Sequence, residues 1–535
     1  MKNIYLSWII IILLIIWFIS FSWKENEVKN ISHQKVPESV TVKYQQASDP
    51  LFTEIDIDSS HEYDKNHFAF IWGSVIDINN DGKDEFFITS WVNQSDSFIK
   101  YNNWKLVNFI TETWINNMQA SYGSISIDFN WNWFTDLLVA REKWLYLYTN
   151  TWWTFIEEKL DIQFENNSIP VDMSVSDIDK DWDLDIYVST FISAKVFKSA
   201  SFNNSNNTTN NLLLRNDWDN RFTEISKLLW TDLKQNTFTS TFIDLNNDSW
   251  EDLVVSPNTD TVKIYKNNEW KFELLEKLSD YGFWMWLASS DMDNDWDLDL
   301  FFSNTGDSIP LSLLKWDTNQ SQKVTSDYLI LENLGDFKFK NITSDILSNQ
   351  PWFWWGIIPV DFDLDNSNSY LIHQNYIKWA VHKINKLSGE LLIKNWDKFI
   401  NILSDYNLEN KNYWFSSLVW DMNNDGLEDI IYLNIDDWAK AFLRNIDNNN
   451  QYLKILLADN NNSLWLKAQL TLDNGTILTK LLSTKQGIMT DQSNSIIFWL
   501  NQQKFNTWSL KLQYLNWDIE SFDINNSEKI LNLRK

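Results

Sequence analysis

DMDNDWDLDLFFS, from Asp291 to Ser303, sets a carboxylate at every second position of a nine-residue turn and then runs into a short apolar strand. The stretch has near-copies along the 535-residue chain, all close to D-x-[DN]-x-[DN]-G-x-x-[DE]. They read DINNDGKDE (Asp77 to Glu85), DFNWNWFTD (Asp128 to Asp136), DIDKDWDLD (Asp177 to Asp185), DLNNDSWED (Asp244 to Asp252) and DMNNDGLED (Asp421 to Asp429). A seventh copy, DFDLDNSNS from Asp361, keeps the first three acids and loses the ninth-position one.

An apolar run follows each acidic turn: FFITS, LLVA, IYVST, LVVS, LFFS and IIYLN. Another precedes it, as in GSVI before Asp77 and TSTFI before Asp244. Short β-branched and aromatic runs bounded by turn residues read as strands. Further strands fit between the units, among them WLYLYTN, NLLLRND, VKIYKNN, YLILENL and AFLRN. The first acids of the turns are about 47 to 70 residues apart. Four short strands per unit at that spacing are the pattern of propeller blades. The expected fold is all-β: a seven-bladed β-propeller over residues 50–450 and a small C-terminal β domain over 451–535. A β-solenoid and a row of independent modules are the structural alternatives, and a solenoid wants a shorter, stricter period.

Calcium takes six to eight oxygens at about 2.3–2.6 Å in flexible geometry. Side chains at positions 1, 3 and 5 of a tight turn converge on one point, the carbonyl at 7 adds an oxygen, and a carboxylate at 9 can close the site. The candidate Ca2+ ligands are therefore Asp77, Asn79, Asp81 and Glu85; Asp128, Asn130, Asn132 and Asp136; Asp177, Asp179, Asp181 and Asp185. The later copies add Asp244, Asn246, Asp248 and Asp252; Asp291, Asp293, Asp295 and Asp299; Asp421, Asn423, Asp425 and Asp429. The plainer alternative is a set of Asx-turns without an ion, least costly in the Asn-rich turn at Asp128. Magnesium fits less well, since it keeps its waters and wants a stricter octahedron.

These turns resemble the FG-GAP/VCBS repeats of integrin-type propellers. The chain resembles, more narrowly, bacterial cartilage-acidic-protein-like proteins that join such a propeller to an ASPIC/UnbV domain. YGFWMWLASSDMDNDWDLDLFFSNTG from Tyr281 carries the likeness to a blade. NNSLWLKAQL from Asn461, KQGIMTDQSNSIIFWL from Lys485 and LKLQYLNWD from Leu510 carry the likeness to the C-terminal domain. The resemblance covers roughly residues 50 to 535 and implies calcium binding and extracellular placement. It brings no defined activity for the ASPIC/UnbV module.

The composition sets limits. A formal net charge of −29 disfavours nucleic acid as a partner. The absence of cysteine excludes disulfides, thiolate catalysis and thiolate metal sites. Only five histidines are present, and His61 and His67 share one segment as surface or packing residues or as a metal pair. Ile4 to Trp23 is almost unbroken apolar sequence behind Lys2, long enough to span a bilayer. It is longer than the usual cleaved signal, and no A-x-A-like site follows. The expected layout is a signal anchor with a transmembrane helix at 1–23, a polar linker at 24–49, and the body outside the cytoplasm. A cleaved signal and a secreted body is the alternative.

Tryptophan numbers 33 and glycine 11, and the tryptophans fall where the repeat wants glycine. Trp133, Trp182 and Trp296 hold position 6 of acidic turns, while Trp250 holds position 7 beside Ser249. Trp152 and Trp153 occupy a turn of N-x-G-G-x-F type, and Trp284 and Trp286 replace the glycines of a G-x-G pattern. Trp465, Trp499 and Trp517 stand at glycine positions of the ASPIC/UnbV pattern. A genetic code that reads UGA as glycine, translated with a table that reads it as tryptophan, produces this distribution. An abundance of Asn, Ile and Lys fits the AT-rich genome in which such a code arises. A Trp-rich carbohydrate-binding surface is the other reading.

No G-x-S-x-G, H-E-x-x-H or Cys/His pair is present. The expectation is a calcium-binding surface protein without catalysis, serving as a binding or adhesion module for an extracellular protein or glycan. A cell-surface carbohydrate-active enzyme built on a propeller is the alternative, with its carboxylate pair outside the turns.

Overall fold

A computed structural model describes residues 51–60, 62, 71–197, 208–218, 220–293, 295–306, 322–347, 353–375, 388–395, 398–435, 438–445, 451–458, 465–483, 492–500, 507–516, 518–525 and 529–534. Ser48–Lys535 is one compact unit. The apolar run at 4–23, the linker, His61, His67 and Trp517 lie outside the described residues. Among the described residues no helix is long and apolar enough to cross a membrane.

The second repeat shows how each unit is built. Ser121–Ile127 leads into the acidic turn, Asp136–Arg141 leaves it, and Leu145–Asn150 and Phe155–Lys159 complete a four-stranded antiparallel sheet. The first three strands are buried almost throughout because their apolar runs have sheets on both faces. The last faces water, with Phe155 inside and Ile156 through Lys159 outside. Third to sixth repeats form the same four-stranded sheets.

The register is fixed by the acidic turn. Ile127 pairs with Asp136, Ser176 with Asp185, Ile243 with Asp252, Ser290 with Asp299 and Trp420 with Asp429. The residue before the first acid thus always faces the ninth-position carboxylate, and the eight residues between form the hairpin. Ser369 takes the carboxylate's place opposite Val360 in the degenerate copy.

Neighbouring repeats meet through their first strands. Gly73–Ile76 packs on Ser121–Ile127, that strand on Ser168–Ser176, and so on through Thr237–Ile243, Trp286–Ser290, Phe353–Val360 and Trp414–Trp420, which returns to Gly73–Ile76. A closed circuit of twisted sheets results, and the all-β fold is propeller-like. Its inner faces share a core that includes Trp72, Tyr122, Phe191, Phe238, Met285 and Phe415. Gly123 stands at a close approach there: a Cβ would lie 2.6 Å from the Val171 carbonyl oxygen.

Closure uses the described chain's beginning. The seventh repeat supplies only Trp414–Trp420, Asp429–Asn434 and Lys440–Arg444. Phe52–Asp58 adds the fourth strand, antiparallel to Lys440–Arg444, and its far end runs parallel to Lys105–Asn108 of the first repeat. First and seventh repeats therefore join as one eight-stranded sheet.

Residues beyond 450 form two further sheets. Tyr452–Leu456 lies between Ser495–Trp499 and Ile530–Asn532, and Trp465–Leu472 lies between Ile477–Ser483 and Thr507–Tyr514, with Ile519–Asn525 outside. Leu453 and Ile455 of one sheet meet Leu466, Ala468 and Leu510 of the other in a single apolar core. This is a β-sandwich.

Candidate metal centre

The seven acidic turns share one hydrogen-bond pattern, set by the first carboxylate. Its Oδ2 accepts the backbone N–H of position 6: from Gly82 to Asp77 at 2.8 Å, Trp133 to Asp128 at 2.9 Å, Trp182 to Asp177 at 3.0 Å, Ser249 to Asp244 at 2.9 Å. Trp296 to Asp291 at 3.2 Å, Asn366 to Asp361 at 3.0 Å and Gly426 to Asp421 at 3.0 Å complete the set. Oδ1 accepts the N–H of position 5, as from Asp181 to Asp177 at 3.0 Å and Asp295 to Asp291 at 3.1 Å. The fifth side chain then accepts the N–H of position 7, as from Asp183 to Asp181 at 3.0 Å. A short carboxylate that bonds amides four and five residues on forces the chain to coil around it.

Position 6 pays a conformational cost for this coil. Its φ is +83° at Gly82, +75° at Trp133, +80° at Trp182, +71° at Ser249, +78° at Trp296, +68° at Asn366 and +89° at Gly426. Position 4 is left-handed as well, at Asn80, Trp131, Lys180, Asn247, Leu364 and Asn424, with φ between 57° and 61°. Sequence reading caught position 6 through its glycines and missed position 4, where Asn is the residue that tolerates this region best after glycine.

Three turns gather carboxylates most tightly. Ligand atoms of Asp177, Asp179 and Asp185 lie within 4.8 Å of one another, as do those of Asp291, Asp293 and Asp295, and those of Asp361, Asp363 and Asp365. Asp179 Oδ1 and Asn246 Oδ1, both at position 3, are buried acceptor atoms without a hydrogen-bond partner. Leaving such an acceptor unmade is costly. Oxygens from positions 1 and 3 converge with position 9 in the Asp177 turn, where the Asp179 acceptor is unsatisfied, and with position 5 in the other two; such oxygen sets suit a hard divalent cation, so the donors fit calcium.

The ninth-position carboxylate has a role that the spacing did not reveal. One oxygen takes the N–H of position 2, as from Ile178 to Asp185 at 2.9 Å and Leu245 to Asp252 at 3.0 Å. The other takes the N–H at the end of the third strand, from Asn150 to Asp136 at 2.7 Å, Asn216 to Asp185 at 2.8 Å, Asn267 to Asp252 at 2.9 Å and Asn333 to Asp299 at 2.8 Å. It therefore fastens turn to sheet, with both oxygens already engaged. Burial pushes Glu85 up to about 9, Asp136, Asp185 and Asp252 up to about 8, and Asp299 up to about 7. A cation beside these carboxyls would favour their charged form.

The third-strand asparagines carry a second bond that joins repeats. Asn150 Nδ2 donates to the Ile78 carbonyl of the preceding turn at 2.8 Å, and Asn333 Nδ2 to that of Leu245 at 2.8 Å. Arg444 takes this place in the last repeat, reaching the Phe362 carbonyl. Position 4 also reaches across: Asn80 Nδ2 donates to the Trp133 carbonyl, and Asn424 Nδ2 to the Gly82 carbonyl at 3.1 Å, which closes the circuit of turns.

No family model matches the chain, and no curated protein matches it. Solved structures of similar shape include BBS1N in complex with ARL6DN, at 7% identity and a TM-score of 0.41, covering 74% of this chain and 98% of that one. An Agrocybe aegerita lectin that recognises non-reducing terminal N-acetylglucosamine shares 12% identity with a TM-score of 0.38, over 70% of this chain and 94% of its own. The Malassezia sympodialis allergen Mala s 1 shares 7% with a TM-score of 0.33, over 61% and 93%.

The tryptophans sort by backbone. Trp104, Trp114, Trp131, Trp133, Trp152, Trp153, Trp182, Trp218, Trp230, Trp270 and Trp296 all have positive φ. Eight of these eleven are the exposed tryptophans of the described surface, from Trp131 at 38% to Trp230 at 82%. Trp131, Trp182 and Trp218 line a cleft of about 480 Å³ between the second and third turns. Trp284 and Trp286 differ: both are buried, at 1% and 0% exposure. Of the histidines, His373 is buried against Trp414, ring centroids 4.7 Å apart, and burial lowers it to about 3.

Proposed function

We propose that this chain is a calcium-binding, seven-bladed propeller of the FG-GAP/VCBS type. The apolar N-terminal run holds it at the cell membrane with its body outside the cytoplasm, where it binds a protein or glycan. The observation that carries the reading is the acidic turn itself. All seven copies coil around the first carboxylate with the same bonds, and an orphaned acceptor remains at Asp179 Oδ1. Calcium would enter through positions 1, 3 and 5 and the carbonyl at 7, with the ninth carboxylate holding the turn in place. Ion binding of this kind adds to folding stability.

Isothermal calorimetry on the full chain tests the metal, with calcium uptake and a chelator-dependent melting temperature as the expected result. No uptake and a chelator-insensitive melt would overturn it. A glycan and protein-partner screen run with and without EDTA tests the binding role. Turnover of a polysaccharide, abolished by one carboxylate substitution outside the turns, would replace that role with an enzymatic one.

A further inference from the structure

The C-terminal sandwich sits on the acidic turns and brings cations to them. Lys454 Nζ lies 3.0 Å from Asp421 Oδ2 and 2.7 Å from Asn424 Oδ1. Lys480 Nζ lies 2.8 Å from Asp361 Oδ2. Arg534 pairs with Asp77 Oδ2 and, at 3.0 Å, with Asp84 Oδ1. Lys467 Nζ bridges two turns, 2.6 Å from Asn247 Oδ1 and 3.2 Å from the Trp296 carbonyl. Strand alternation delivers two of these: Lys454 stands between the core residues Leu453 and Ile455, and Lys467 between Leu466 and Ala468, so each lysine faces away from the sandwich core.

Two of these contacts are deeply buried. The side chains of Lys454 and Asp421 are 1% and 0% exposed, and those of Arg534 and Asp77 are 4% and 0%. In three turns the cation lands on the same atom, Oδ2 of the first carboxylate, where the N–H of position 6 also binds. A calcium ion held by Oδ1 of that carboxylate would face an ammonium or guanidinium across a single carboxyl group. Like charges so close in a dry site oppose each other.

We propose that the C-terminal domain supplies tethered cations that compete with metal at the turns of Asp77, Asp361 and Asp421, so that these three are the weak calcium sites of this chain. The proposal rests on the calcium reading given above and divides its sites into two classes. The bonds of the four basic residues end on the turns of Asp77, Asp361 and Asp421 and between those of Asp244 and Asp291. The turns at Asp128 and Asp177 border a cleft lined by Phe129, Asn130, Asp183 and Asn216 of the propeller. Of these two, the Asp177 turn carries acids at positions 1, 3, 5 and 9, whereas the Asp128 turn has Asn130 and Asn132 at positions 3 and 5.

Calcium isotherms on the full chain, followed by calorimetry and by terbium luminescence, test the division. Asp179→Ala, in a turn outside these three, should leave their affinities unchanged. Lys480→Gln and Lys454→Gln should each tighten one weak site about tenfold, the Asp361 and Asp421 turns respectively. Lys480 is the more exposed of the two, at 18%, so its variant keeps the test available if Lys454→Gln fails to fold. Isotherms unchanged by Lys480→Gln in a folded protein that binds calcium would overturn the proposal. A wild-type chain that takes up no calcium would instead remove the metal reading on which it stands.

Discussion

Asn150 Nδ2 donates a hydrogen bond to the carbonyl oxygen of Ile78 at 2.8 Å, so the third strand of the second repeat is tied to the acidic turn of the first. The same amide also reaches the Thr135 carbonyl at 3.1 Å, and the Asn150 backbone N–H bonds Asp136. One buried residue thus joins a sheet, its own turn and its neighbour's. Asn267 repeats part of the arrangement, with Nδ2 3.2 Å from the Glu251 carbonyl.

Asn150→Ala should leave two buried carbonyls without this donor. Each unmade bond costs about 1–3 kcal/mol, so a loss of about 2–6 kcal/mol is expected in urea unfolding. Asn116, exposed on a surface loop, serves as the control: Asn116→Ala should cost far less. Equal effects would mean that the clamp contributes nothing particular.

Glycine at the left-handed tryptophans should stabilise the protein. Trp133 and Trp182 are 66% and 58% exposed, so their removal forfeits little burial. A non-glycine residue in the left-handed region costs about 1–2 kcal/mol, and Trp182→Gly should recover about 1 kcal/mol in thermal unfolding. The same logic extends to the native material. If UGA is read as glycine in the source cell, the intact mass of the natural protein falls below that of a chain with 33 tryptophans. A mass that matches all 33 rejects the recoding.

Metal-free protein should lose stability as pH rises. Burial raises Glu85 to about 9 and Asp136, Asp185 and Asp252 to about 8 in the folded state. The unfolded values are near 4. Between these limits the folded chain binds more protons than the unfolded one, and its stability therefore declines with increasing pH. Melting temperature in EDTA should fall steadily from pH 5 to pH 9. Calcium should flatten that slope, because it takes the place of the protons.

Removing the closing strand should open the ring. Phe52 and Ile55 are buried at 5% and 7% exposure, and their strand covers the edge of Lys440–Arg444. Burial of two such side chains is worth about 3–6 kcal/mol. A chain that begins after Asp58 should show at least that loss in denaturant, together with faster hydrogen exchange in Asp429–Asn434. Unchanged stability would show that the circuit does not depend on this strand.

The acidic turns were legible because their determinants are local. A carboxylate at position 1 meets amides at positions 5 and 6, and the strands on either side announce themselves by apolar runs. Position 4 and the ninth carboxylate's hold on the third strand were harder to read. Leu364 or Lys180 carries no mark of a left-handed backbone, and Asp136 reaches Asn150 across a hairpin whose register has to be known first.

By itself, then, the sequence determined the repeat, its strand–turn–strand units, its all-β class and the oxygen-rich turns, since each depends on residues within about ten positions of one another. Only the tertiary structure decided that Phe52–Asp58 closes the circuit, that Asn150 and Asn333 bind neighbouring turns, and that Lys454, Lys480 and Arg534 land on the first carboxylates. Arg534 meets Asp77 across 457 positions of chain. No local pattern distinguishes that arginine from any other, because what selects it is the packing of the C-terminal sheets on the acidic turns.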